Sequence, residues 1–145
     1  MNNNKSNLIK QLAEEFSGKI TELPIKVLPN QDIVYEKYLI KKNDQEWDLF
    51  SLETKSKLAT FFLRSCALIA AKYYTKLLFQ EYHEIKELDR NYKRTYIDTI
   101  FHKHNLKTTK DFDTKVILLN RIECSEADSE RYKKTISRLF RLSFV

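Results

Sequence analysis

The sequence predicts a mainly α, α+β domain: four to five helices around a long central helix, with a β-hairpin from the N-terminal third packed on it. Two observations carry this. Apolar residues recur at three- and four-residue steps through most of the chain after residue 53, and two runs of β-branched and aromatic residues flank a short polar stretch between residues 33 and 52. At 145 residues, 42% hydrophobic and 32% charged, the chain has the size and composition of one folded domain. The expected division is a single globular unit over 1–145, with 1–5 flexible, 33–52 the hairpin and 53–145 helical.

Taking the elements in order, Leu8, Ile9, Leu12, Ala13 and Phe16 have helical spacing, and Gly18 is placed to stop that helix. Pro24 and Pro29 flank Ile25 and Val27, which alternate with polar residues as an edge strand or loop does. Residues 33–41 and 47–52 form the two arms of the hairpin, with Trp47 as its packing anchor. Leu58, Phe62, Cys66, Ile69, Tyr73 and Leu77 then mark a helix over residues 53–82, apolar nearly all round at its middle and therefore expected to be surrounded. A further helix over 85–103 carries Leu88, Tyr92, Ile97, Ile100 and Phe101. Thr108 and Asp111 have capping-box spacing before a stripe of Phe112, Val116, Leu119 and Ile122. Ser125 and Asp128 repeat that spacing before a last helix with Tyr132, Ile136, Leu139 and Phe140 on its apolar side.

Several chemistries lack their motifs. A single glycine, against an average usage of about 7%, leaves no glycine-rich cradle for phosphates. Cys66 and Cys124 have no CxxC spacing and read as reduced structural thiols. His102 and His104, two residues apart, cannot point the same way on a helix, and Glu81, Glu84 and Glu87 lack the partner histidines of a di-iron bundle. No nucleophile elbow is present. Asp89, Tyr92, Tyr96 and Asp98 bring two carboxylates and two phenols to one helix, a group able to do acid–base work if it faced a cleft. No cofactor and no catalytic or metal-binding residue is therefore expected.

The apolar run at 66–71 is far shorter than the roughly 20 residues of a membrane span. The start, Met1-Asn2-Asn3-Asn4-Lys5, lacks the apolar stretch of a secretory signal, so the expected location is cytoplasmic, or the host cytoplasm or virion for a viral protein. Heavy use of Asn, Lys, Ile and Tyr suggests an AT-rich coding genome such as that of a virus or a reduced bacterium.

Charge gives the functional lead. The net charge is +6, and it is uneven: residues 1–53 carry 7 basic and 9 acidic side chains, residues 54–145 carry 19 and 11. On the last helix Arg131, Lys134, Arg138 and Arg141 share the side opposite the apolar stripe, and Lys93 and Arg94 would extend that surface if the two helices packed side by side. These six are the expected contact residues for nucleic acid or an acidic protein surface. The function expected is thus a non-catalytic binding or accessory protein, phage or viral in origin. The alternative is a structural or assembly subunit, for example of a virion, acting as a homo-oligomer, with an enzyme built on Asp89, Tyr92 and Tyr96 ranked third.

Overall fold

Residues between positions 25 and 61 build a sheet larger than the expected hairpin. The computed structural model describes residues 25–30, 32–76 and 79–144. Their elements are β1 (Ile25–Val27), β2 (Ile33–Tyr35), β3 (Tyr38–Asn43), β4 (Glu46–Ser51), β5 (Lys57–Phe61), α1 (Arg64–Lys76), α2 (Phe79–Thr108) and α3 (Phe112–Phe144). The five strands form an antiparallel meander in sequential order. One row of paired residues crosses it, Val27 to Ile33, Ile33 to Ile40, Ile40 to Leu49 and Leu49 to Ala59. All five are buried, because residues directly opposite in antiparallel strands share a face.

Helix α1 lies between this sheet and the other two helices, and residues 66–71 are 0% exposed. Small side chains at Ala67, Ala70 and Ala71 let both layers approach it. The core is completed by Trp47 and Phe61 from the sheet and by Tyr82, Ile85, Ile136 and Phe140 from α2 and α3. Lys42 and Arg64 cover the Trp47 ring, 5.6 and 5.4 Å from its centroid.

Helices α2 and α3 form a long antiparallel hairpin closed by residues 109–111. At 30 and 33 residues they run about 45 and 50 Å. Asp111 caps the start of α3, its Oδ2 accepting from the backbone N–H of Thr114 at 3.0 Å and from the Thr114 hydroxyl at 2.6 Å. These bonds hold the Asp111 carboxyl below the ordinary carboxylate range. Halfway along, Thr99 Oγ1 meets Ser125 Oγ at 2.7 Å, with Leu118 and Ile122 also buried.

The expected arrangement of four to five helices around a long central helix is thus corrected. The described residues hold three helices and a five-stranded sheet. Residues 53–82 do not form one helix: 57–61 are β5, where Ala59 and Phe61 point into the core at period two, and the buried central helix has 13 residues. Tertiary pairing with β4 prevails over a three- and four-step pattern that fitted either state. The run 33–41 is split by a turn at Glu36-Lys37, and the two helices expected around residue 125 are one. Ser125 sits inside α3, donating to the Ile122 carbonyl at 3.2 Å, instead of capping a new helix. Among the described residues Ile25–Val27 is an edge strand, paired with β2 alone. The expected helix over 6–18 and the flexible start over 1–5 lie outside the described residues.

Candidate interaction surfaces

The last four turns of α3 present the basic side chains. Its core-facing stripe, Ile136 and Phe140, is 0% exposed, which fixes the opposite side toward solvent. Arg131, Lys134, Arg138 and Arg141 all lie exposed there, and the last three, with Glu130, Lys133 and Ser137, line one surface hollow. From residue 131 to 145 the chain has five basic side chains and no acidic one. Among the described residues, Lys133, Lys134, Arg138 and Arg141 make no ion pair, whereas Arg131 is held by Asp128 at 2.8 Å. Lys133 was missed in the sequence because it borders the core side, yet it lies four residues before Ser137 and eight before Arg141, in line with the hollow.

Helices α2 and α3 do pack side by side, but they do not gather all six expected contact residues. Arg94 lies in the groove on one side of the hairpin with Asp98, His102, Arg121, Asp128 and Tyr132. Lys93 is turned the other way, its Nζ 3.2 Å from Glu46 Oε1 of β4. The two are adjacent in sequence and so point about 100° apart around the helix.

The carboxylate and phenol group of α2 is also dispersed. Asp89 is 5% exposed, and its carboxylate accepts from the backbone N–H of Phe62 at 2.7 Å and of Leu63 at 2.9 Å, closing the turn between β5 and α1. Burial pushes its carboxyl above the ordinary range, the two amides offsetting part of that rise. Tyr92 and Tyr96 stack on each other and against Phe62, with ring centroids 6.3, 6.1 and 5.4 Å apart, and Asp98 lies exposed in the groove with Arg94. Asp89 acts as a remote helix cap and the tyrosines as a packed edge. The Cys66 thiol is fully buried and pushed well above its ordinary pKa, chiefly by desolvation. Among the described residues no three His, Cys, Asp or Glu side chains gather as a metal ion would need, and no helix is long and apolar enough to cross a membrane.

A second surface was read in the sequence as core. Toward the closed end of the hairpin, Ile97, Ile100 and Phe101 of α2 are 49, 52 and 59% exposed, and Phe112, Val116 and Leu119 of α3 are 75, 43 and 53% exposed. The expected buried stripe 112, 116, 119, 122 is corrected accordingly, since only Ile122 is covered. The core lies at the other end of the hairpin, so the apolar residues here have one partner helix where the sequence pattern suggests two layers. Compared with known protein families, curated proteins and solved structures, the chain matches none.

Proposed function

We propose that the protein is a non-catalytic binding factor whose basic face on α3 takes the phosphate backbone of a nucleic acid. The observation that supports this is the run from 131 to 145, with five cations, no acidic side chain, and four of the cations without an ion pair among the described residues. Unpaired cations on consecutive turns match a row of phosphates and read no base edges, so the binding is independent of sequence. A rigid support matters here. Ile136 and Phe140 anchor the same turns in the core, so the cations need no reordering of the backbone to engage.

The test is fluorescence anisotropy with labelled duplex DNA and single-stranded RNA at two salt concentrations. Four phosphates neutralised give a slope of about −3.6 on duplex, hence a loss of about 150-fold in affinity between 50 and 200 mM salt. Reversing Lys134, Arg138 and Arg141 together to Glu should abolish binding. Salt-insensitive binding, or binding that survives the triple reversal, refutes the proposal.

A further inference from the structure

We propose that the nucleic acid taken by the basic face is single-stranded, with one base stacked on Tyr96 in the groove that adjoins the cations. The inference rests on the phosphate reading of that face and adds the class of nucleic acid.

Position comes first. The basic hollow on α3 and a groove between α2 and α3 meet at Lys133, which lines both. On the α2 side of that groove stand Tyr92, Tyr96 and Lys103. The bond between Thr99 and Ser125 sets the level of the two antiparallel helices, so Tyr96, three residues before Thr99, stands opposite position 128. Lys133 lies five residues further along α3, about 7.5 Å along the axis, a distance that one nucleotide spans.

Charge separates what the two places can hold. The hollow gathers Lys133, Lys134, Arg138 and Arg141 against Glu130 alone and suits phosphates. In the groove Lys103 and Lys133 are balanced by Glu126 and Glu130, and Lys103 Nζ already lies 2.9 Å from Glu126 Oε1. A phosphate gains little from a place without net charge. A base is uncharged and brings a flat π-face with polar edges, so it suits such a place better.

Tyr96 supplies the platform. Its side chain is 44% exposed, yet the ring is braced by Phe62 and Tyr92, with centroids 5.4 and 6.3 Å away. A braced ring needs little ordering before a base lies on it. Ser129 and Lys133, on the opposite wall, bring donors for the base edge. A duplex cannot use this groove, because its bases are already paired and stacked, whereas a single strand can turn one out. Past Tyr96 the carboxylates of Glu126 and Glu123 repel further phosphates, which limits the site to the end of the strand's path.

Fluorescence anisotropy on the full chain tests this with three labelled DNA probes of equal length: a single strand of thymidines, the same strand without bases, and a duplex. The thymidine strand should bind at least about 5-fold tighter than the abasic one, the lower bound for one base on an aromatic ring. That ratio should stay constant between about 50 and 200 mM salt while each affinity falls, because stacking releases no counterions. Tyr96→Ala should erase the ratio and leave abasic and duplex binding unchanged, and Tyr96→Phe should keep it. Ser129→Leu, which fills the groove from α3 and leaves the packing on Phe62 alone, should erase it as well. Equal binding of the thymidine and abasic strands, a ratio that falls with salt, or one that survives both Tyr96→Ala and Ser129→Leu overturns the base site and leaves the phosphate reading standing. Failure of all three probes to bind overturns both.

Discussion

Replacing Asp89 should be among the most damaging single changes in the molecule, although the residue lies far along α2 from the turn it stabilises. Its two carboxylate oxygens receive the amides of Phe62 and Leu63 at 2.7 and 2.9 Å. A hydrogen bond to a charged group contributes about 1.5–3 kcal/mol. Ala leaves both amides without a partner in a buried place, but it also removes a desolvated carboxylate, so the net cost of Asp89→Ala is about 2–4 kcal/mol. Against a total of about 5–15 kcal/mol for an ordinary domain this is severe. Asn can accept one amide through its carbonyl and turns a donor toward the other, so Asp89→Asn should cost about 1 kcal/mol at neutral pH. Urea denaturation followed by far-UV circular dichroism measures both. Asp89→Ala within about 1 kcal/mol of the parent would show that the two amides find other partners and that Asp89 is not the cap.

Three further expectations concern the same framework. Burial raises the folded-state pKa of Asp89 above its ordinary 3.8. Below that value the carboxyl is protonated in both states, and above it the unfolded chain releases its proton first. The native state is therefore favoured less as pH rises, until the raised value is passed, so the stability advantage of the parent over Asp89→Asn should shrink from acid to neutral pH. Denaturation curves of the two proteins across that range check the sign. In the hairpin, Thr99→Val and Ser125→Ala each remove one side of a 2.7 Å hydrogen bond, at about 1 kcal/mol apiece. A double-mutant cycle should return a coupling of about 0.5–1 kcal/mol, and zero coupling would refute the contact. In the sheet, Glu36 and Lys55 hold φ of 51° and 60°, left-handed values that favour glycine. Gly at either site relieves about 1–2 kcal/mol of backbone strain and adds about 0.4–1 kcal/mol of unfolded-state entropy, for a net gain of about 0.5 kcal/mol in thermal unfolding.

What was legible in the sequence depends on whether a pattern had one physical solution. The run at 66–71 is apolar on every side and could only be buried, and it is. The hairpin around Asn43 to Glu46 was legible because two β-branched and aromatic runs flank a polar pair. The rest of the sheet was hidden because its turns carry Glu36 and Lys55 in the left-handed region instead of glycine. Without that punctuation Lys57–Phe61 joined the helical spacing that follows it. The uninterrupted α3 was hidden for the converse reason: Ser125 and Asp128 imitate a cap, yet one of them bonds across to Thr99 and the other to Arg131. Four of the basic residues of α3 share a face because 131, 134, 138 and 141 follow the helical period whatever packs behind them. Where Lys93 and Arg94 would point depended on the register of α2 against β4 and α3, which no periodicity contains.

The order of residues along α3 explains how one helix can carry two surfaces. It carries apolar side chains at 112, 116 and 119, acidic ones at 123, 126, 128 and 130, and basic ones at 131, 133, 134, 138 and 141. The basic segment is held by Ile136 and Phe140 in the main core, so its face is presented by the folded domain itself. Among the described residues the apolar segment packs on α2, through Leu118, Ile122 and the Thr99–Ser125 bond. Two helices alone bury only a stripe of each, which makes this end the weaker part of the structure and the one with most to gain from a cover. The acidic segment between them keeps the two apart, because it repels a polyanion from the closed end. Substitutions at 134, 138 and 141 should therefore abolish polyanion binding in the anisotropy assay while helical circular dichroism stays unchanged, and substitutions at 116 and 119 should leave that binding intact.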